Sequence, residues 1–151
     1  MIEGQCLCGE VVFELDPDRI VLFNNCYCKT CQRNSGTGFV SQLQVEREAF
    51  NWLRGEQNVR LFESSPNVNR AFCGKCGSRL PMAEVDGNYI PVPAGLLNDE
   101  IKQDPEVNMH LNDKAQWALI DESIHCLADQ GTPEFWATFT EAKQMTPSSP
   151  A

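Results

Sequence analysis

The residues of this chain best suited to chemistry are its cysteines, seven of which fall into three short clusters. The clusters comprise Cys6 and Cys8, then Cys26, Cys28 and Cys31, then Cys73 and Cys76. Within each cluster, neighbouring cysteines are separated by one or two residues, so a single tight loop can present two sulfurs to one metal ion. Zinc favours a tetrahedron of thiolates. Three such clusters in 151 residues therefore predict a zinc protein.

Two glycines support this interpretation. Gly9 and Gly77 directly follow the last cysteine of the first and third clusters, and glycine reaches the positive φ that such a loop needs without steric cost. Disulfide bonds are the weaker alternative. Cysteines this close together close small, strained rings when they are bridged, and a cytosolic thiol pool would keep them reduced.

The number of cysteines in each cluster predicts how they share two metal ions. A closed structural zinc site needs four protein ligands, and the first and third clusters supply four: Cys6, Cys8, Cys73 and Cys76. The middle cluster supplies three, and catalytic zinc sites combine three protein ligands with a position for solvent or substrate. We therefore predict two zinc ions per chain, one structural and one catalytic. The residues assigned to the catalytic ion are Cys26, Cys28 and Cys31.

Two alternatives stay open at this point. One groups Cys28 and Cys31 with the third cluster, which leaves the other three clustered cysteines scattered. The other closes the middle cluster with a fourth protein ligand, for which the candidates are His110, His125 and Cys126. A fourth protein ligand would make that site inert, because the open position is what distinguishes a catalytic zinc site.

Composition limits the class of protein. A chain of 151 residues with 42% hydrophobic residues has the size of one domain; we place it at residues 1–145, followed by a Pro/Ser-rich tail, residues 146–151, that we expect to be disordered. The net charge of −9 disfavours nucleic acid and anionic membranes as partners. The sequence contains no apolar run of about eighteen residues and no secretory signal in residues 1–10, so we expect a cytoplasmic protein.

The elements that must position these cysteines are mostly strands. Short segments rich in β-branched and aromatic residues predict six of them: Val11–Leu15, Ile20–Phe23, Phe39–Val45, Val59–Phe62, Val68–Phe72 and Tyr89–Val92. Glycine and proline between these segments exclude long helices from most of the chain. A helix is predicted at Pro133–Met145, where proline begins an apolar pattern at Phe135, Trp136 and Phe139. The fold class is therefore mainly β, with short helical segments.

The motifs also resemble those of a known family. Their order along the chain is Gly-x-Cys-x-Cys-Gly at residues 4–9, Cys-x-Cys-x-x-Cys at 26–31 followed by Arg33 and Gly36, and Arg-x-Phe-Cys-x-x-Cys-Gly-Ser at 70–78. Gly55, Ser64, Ser65, Gly95, Leu96, His110 and Trp117 complete the likeness. This pattern resembles the glutathione-dependent formaldehyde-activating enzymes. The resemblance implies an Mss4-like zinc-binding β fold and a carbon–sulfur lyase.

The chemistry implied is the reversible addition of glutathione, or a similar small thiol, to formaldehyde or a related small aldehyde. Lys29 and Arg33 are the predicted contacts of the thiol's carboxylates, and Arg70, Lys75 and Arg79 also lie in or beside the metal loops. One rival hypothesis is a zinc-stabilised thiol carrier without turnover, whose aromatic residues would be core; these are Phe23, Phe39, Trp52, Phe62 and Phe72. A second rival is a methionine sulfoxide reductase that uses Cys126, which has only His125 as a cationic neighbour.

Overall fold

The computed structural model describes residues 1–84 and 86–145. Within these residues the chain forms ten strands and two α-helices. The strands are β1 (Ile2–Gln5), β2 (Val12–Leu15), β3 (Ile20–Cys26), β4 (Val40–Glu46), β5 (Phe50–Arg54), β6 (Val59–Ser65), β7 (Val68–Cys73), β8 (Tyr89–Pro93), β9 (Val107–Met109) and β10 (His125–Cys126). The helices are α1 (Lys29–Ser35) and α2 (Pro133–Met145). The prediction of a mainly β chain with short helical segments is confirmed.

The strands form three sheets. Strands β1, β2 and β5 make an antiparallel sheet with β2 in the centre, and β6 and β7 make a two-stranded hairpin. The largest sheet has the order β10-β9-β3-β4-β8. In that sheet β4 is antiparallel to both β3 and β8, whereas β9 is parallel to β3 and β10 is parallel to β9. The middle cysteine cluster begins at the end of β3, in the centre of this sheet.

The main hydrophobic core joins the three-stranded and five-stranded sheets. Alternation along each strand sends every second side chain inward, as at Leu43 and Val45 of β4, which are both fully buried. Phe13 and Leu15 of β2 meet them from the other sheet. Each such side chain contributes about 1.5–3 kcal/mol by its burial. This core supports the strands that carry Cys26 and the first cluster.

Helix α2 has the predicted bounds; its three aromatic residues pack among themselves, and Phe135 and Phe139 also contact His125. Helix α1, by contrast, was not predicted. It lies within the middle cluster and buries a single residue, Cys31, so no apolar periodicity marks it. No helix among the described residues has the length and apolar character needed to cross a membrane. The predicted disordered tail, residues 146–151, lies outside the described residues.

Candidate metal centres

The first and third cysteine clusters sit on two loops with the same backbone construction. Cys6 and Cys8 lie between β1 and β2, where the Cys6 N–H donates to Val11 O (3.1 Å) and the Gly9 N–H donates to Cys6 O (2.9 Å). In the other loop the Cys73 N–H donates to Ser78 O and the Gly77 N–H donates to Cys73 O, both at 2.8 Å. Both glycines have the positive φ expected, 70° for Gly9 and 76° for Gly77. Each loop therefore turns its two sulfurs toward the same side.

These two loops bring four sulfurs together. The Sγ atoms of Cys6, Cys8, Cys73 and Cys76 all lie within 4.8 Å of one another, with Cys6 to Cys8 at 3.5 Å and Cys8 to Cys73 at 3.9 Å. A tetrahedral zinc with bonds of about 2.3 Å has sulfurs about 3.8 Å apart, so the donor set fits one such ion. Cys6 and Cys73 are buried, whereas Cys8 is exposed. We name this group the four-cysteine cluster.

Hydrogen-bond donors lie close to two sulfurs of the four-cysteine cluster, those of Cys6 and Cys76. The Val11 N–H points at Cys6 Sγ from 3.3 Å. Ser78 Oγ lies 3.3 Å from Cys76 Sγ and accepts from the Leu7 N–H at 3.0 Å, so it links the two loops. The side chain and backbone of Ser78 lower the pKa of Cys76 to about 5. Donors of this kind stabilise the negative charge that a metal-ligating sulfur must carry.

The middle cluster is built within six residues. Cys26 ends β3, Cys28 caps the N-terminus of α1 by accepting from the Cys31 N–H at 3.4 Å, and Cys31 lies in the first turn of the helix. Their three Sγ atoms lie within 4.8 Å of one another. Cys26 and Cys31 are buried and Cys28 is half-buried. We name this group the three-cysteine cluster; its donor set also fits zinc.

No fourth histidine, cysteine or carboxylate joins the three-cysteine cluster among residues 1–84 and 86–145. The candidates for that role lie elsewhere. Cys126 is exposed on β10 beside the Asn108 side chain, His125 stacks edge-on against Phe135, and His110 has a left-handed backbone in the turn after β9. The competing division of the cysteines, with Cys28 and Cys31 beside the third cluster, does not match this grouping either.

Two arginines influence the three-cysteine cluster. A hydrogen bond from Cys26 and the charges of Arg79 and Arg70 lower the pKa of Cys31 against the opposing effect of its burial, while that hydrogen bond and burial raise the pKa of Cys26. Arg79 follows the third cluster, and its backbone bridges Phe72 of β7, so the hairpin fixes the position from which its side chain extends.

An open cavity of about 510 Å³ lies beside both clusters. Its walls include the end of α1, the start of β4 and the segment after Cys76, represented by Ser35, Val40, Ser78 and Arg79. No cysteine lines this cavity. Val40, which lines the cavity, packs directly against Cys26 and Cys31, so the cavity lies next to the three-cysteine cluster.

The two predicted thiol contacts lie on the outer surface of α1. Lys29 and Arg33 are both exposed, and Lys29 Nζ donates to Gln32 Oε1 at 3.4 Å; neither residue lines the cavity. Their role stays a prediction. The sequence gives Arg79 only as one of five cations near the metal loops and does not single out Val40. Their signal is weak in sequence, because it depends on which side chains the fold brings beside the cysteines.

The fold and these two thiolate clusters define a mainly β protein with two candidate metal centres. The family model of the glutathione-dependent formaldehyde-activating enzymes matches residues 1–113. The chain belongs to this family, which confirms the predicted resemblance.

Two similar proteins extend the comparison. A protein of Halomonas elongata named "Putative glutathione-dependent formaldehyde-activating enzyme" is 27% identical over 139 residues, which cover 85% of this chain and 87% of the relative. The crystal structure of a Rhodobacter sphaeroides protein matches with a TM-score of 0.55 at 19% identity, over 67% of this chain and 92% of the other. That second likeness concerns the fold alone.

Proposed function

We propose that the chain binds two zinc ions and catalyses the reversible addition of glutathione, or a similar small thiol, to formaldehyde or a related small aldehyde. In the opposite direction the reaction is that of a carbon–sulfur lyase. The observation that carries the proposal is a cluster of three thiols, two of them buried, that no fourth protein ligand completes among the described residues. Membership of the family supports the choice of thiol and aldehyde.

The roles proposed for the two clusters follow from the number of sulfur ligands in each. The four-cysteine cluster offers a complete tetrahedral set and would hold a structural ion. The three-cysteine cluster would hold the second ion through Cys26, Cys28 and Cys31. When bound there, zinc would supply a positive charge that lowers the pKa of a thiol at its fourth position. This accounts for a reactive thiol at neutral pH without a protein nucleophile.

The reaction itself is a simple addition. The substrate sulfur attacks the carbonyl carbon, one carbon–sulfur bond forms, the carbonyl π bond breaks, and the thiol's proton ends on the oxygen. The chain's own residues serve to hold and orient the partners. The cavity lined by Val40 and Arg79 has room for a tripeptide-sized molecule, and the proposed partners of the carboxylates of glutathione are Lys29 and Arg33 on α1. The proposed setting is the cytoplasm, where such thiols stay reduced.

Metal analysis and spectroscopy test the proposal together. Purified protein should contain about two zinc ions per chain. In cobalt-substituted protein, glutathione should change the thiolate-to-cobalt absorption of one site and leave the other unchanged. Exchange NMR with ¹³C-formaldehyde and glutathione should then show faster formation of the adduct than in buffer. The Cys28→Ser variant is the matched control, since it should keep only the four-cysteine site.

Different failures lead to different conclusions. An absorption spectrum that glutathione leaves unchanged would refute thiol binding at the three-cysteine cluster. A changed spectrum without faster adduct formation would leave the non-catalytic thiol carrier as the function. Activity toward methionine sulfoxide that disappears in Cys126→Ser would instead favour the reductase.

A further inference from the structure

The Arg79 side chain is half-buried, and two of its nitrogen atoms are fully buried. Its Nη2 donates to Gln42 Oε1 at 3.3 Å, whereas its Nε and Nη1 meet no nitrogen or oxygen acceptor among the described residues. The Cys31 thiol is the side chain that remains within hydrogen-bonding reach of the guanidinium. Buried guanidinium donors are ordinarily paired, because an unpaired buried donor loses its water without compensation. These two donors therefore point to an anionic sulfur or ligand as their partner.

The strand register shows which side of the sheet Arg79 faces. Gln42 and Val40 of β4 are two residues apart, so their side chains lie on the same face. Val40 is paired with Cys26 in the neighbouring strand and packs against Cys26 and Cys31. The contact with Gln42 thus holds the Arg79 guanidinium on the face that carries the three-cysteine cluster.

Arg70 adds a second positive charge at the same place. Its Nε donates to Ser64 Oγ at 3.1 Å and its Nη1 approaches Met82 Sδ at 3.6 Å, which are both uncharged partners. Neither arginine forms an ion pair with a carboxylate in the part of the chain that the structure describes. Arg79 lines the same cavity as Val40, and Val40 packs against Cys26 and Cys31. The thiolates of the three-cysteine cluster are therefore the anions that can compensate these two positive charges.

We infer that Arg79, together with Arg70, adapts the three-cysteine cluster to take an anionic fourth ligand in preference to a neutral one. Three thiolates and one divalent ion carry a net charge of −1, and a bound thiolate would bring this to −2. The half-buried side chains of Arg79 and Arg70 carry two positive charges that would balance it. Arg79 is thus a positioning residue that acts through the cluster, and this role rests on the proposed function in assuming that the cluster holds a metal ion with a thiol as its fourth ligand.

The four-cysteine cluster differs from the three-cysteine cluster in how its negative charge would be compensated. A complete set of four thiolates on a divalent ion also carries −2, yet Cys8 is exposed there and water can screen the charge. The cation nearest in sequence, Lys75, is exposed and already paired with Glu10 at 3.2 Å. The two arginines without carboxylate partners therefore lie at the three-cysteine cluster, where an exogenous fourth ligand is proposed.

Ligand titrations of cobalt-substituted protein test the inference. The probes are 2-mercaptoethanol, which binds metal as a thiolate and has no carboxylate, and imidazole, which binds as a neutral ligand. We expect Arg79→Met to raise the dissociation constant of 2-mercaptoethanol at least tenfold and that of imidazole less than threefold, because an opposite charge a few ångströms away acts on the anion alone. Arg79→Lys should restore part of the preference, and Arg19→Met, on an exposed surface, is the control.

The outcomes separate this inference from the proposed function. Equal weakening of both ligands by Arg79→Met, or no weakening of either, would overturn the role of Arg79. Failure of the unmodified protein to bind 2-mercaptoethanol would instead refute thiol binding at this cluster, which is part of the proposed function. Circular dichroism and cobalt content of each variant identify any that fail to fold, in which case Arg79→Lys alone decides by its ratio of the two constants.

Discussion

The two cysteine clusters differ in what they connect. The four-cysteine cluster joins loops 65 residues apart, from Cys8 to Cys73, and so ties the three-stranded sheet to the β6–β7 hairpin. The three-cysteine cluster takes all its sulfurs from residues 26–31, at the junction of one strand and one short helix. A metal that closes a long loop restricts the unfolded chain far more than one bound within a single loop.

This difference explains why one site can be complete and the other open. A long-range cross-link stabilises the fold only while all its ligands are engaged, so four protein ligands suit the four-cysteine cluster. The geometry of the three-cysteine cluster depends instead on β3 and α1, which the sheet and the Tyr27 side chain hold in place. Tyr27 is fully buried, its ring lies 4.9 Å from that of Phe39, and its hydroxyl donates to Leu119 O. These contacts support the three-cysteine cluster without a fourth protein ligand, which is compatible with the proposed function.

The largest expected effect on stability is that of removing a ligand from the four-cysteine cluster, whose metal ion would cross-link the two loops. Cys73→Ser removes a ligand of the four-cysteine cluster and leaves a hydroxyl at a buried position. We expect the free energy of unfolding to fall by more than about 4 kcal/mol, since loss of a structural metal is among the most destabilising changes. Urea unfolding followed by circular dichroism measures this.

Cys126→Ser is the matched control for that substitution. The Cys126 side chain is exposed and belongs to neither cluster, so its unfolding curve should match that of the unmodified protein within about 0.5 kcal/mol. If Cys73→Ser were as stable as this control, the four-cysteine cluster could not be the structural site.

Removing a ligand from the three-cysteine cluster should abolish activity and change the free energy of unfolding little. Serine is a good helix N-cap, so Cys28→Ser keeps the cap of α1 while it removes a sulfur ligand. We expect zinc content to fall from about two ions to one per chain and adduct formation to fall to the rate in buffer. The unfolding free energy should fall by no more than about 1 kcal/mol. A loss of stability as large as that of Cys73→Ser would erase the distinction between the clusters.

The sequence predicted the strands with strong local signals. All six predicted strands are present, and β3, β6, β7 and β8 begin at the predicted residues. The missed strands β1, β9 and β10 have two to four residues, too few to show alternation, and pairing with β2, β3 and β9, respectively, holds them in place. Strand β5 carries alternating Phe50 and Trp52 and could have been found. Helix α1 was hidden because its residues serve the metal cluster and the caps, not the core.

The grouping of the cysteines could be predicted from the sequence, whereas the residues that surround them could not. Cysteine spacing and number led to the same two groups that the structure brings together, since loops of two or three residues leave few geometries. The choice among five nearby cations depends on side-chain direction. A backbone bridge to Phe72 brings Arg79 beside β7, a contact that no local pattern reveals, whereas Lys29 and Arg33 are exposed.

Alanine substitutions of two glycines, one beside each cluster, should have smaller effects. Gly77 lies in the loop of the four-cysteine cluster and Gly36 ends α1; both have left-handed φ values, 76° and 73°, and an added Cβ would meet no atom within 4 Å of either. Alanine at each position should therefore cost about 1–2 kcal/mol from backbone strain alone. Only Gly77→Ala should also weaken zinc at the four-cysteine cluster, measured by competition with a chelator. Equal zinc affinity in the two variants would contradict the role of that loop.

The smallest effect is expected on the outer face of α1. If Lys29 and Arg33 contact the thiol's carboxylates, they do so from solvent, where an ion pair contributes about 0–1 kcal/mol. Lys29→Ala and Arg33→Ala should each raise the KM for glutathione less than about fivefold without changing kcat, and the effect should shrink in 0.5 M salt because exposed charges are screened. Arg79→Met should retain its tenfold effect on thiol binding at that salt, since a buried charge is screened much less. Kinetics at two salt concentrations test this difference. A salt-insensitive tenfold rise in KM for Lys29→Ala would place the thiol's main cationic contact on the helix surface and not beside the buried sulfurs.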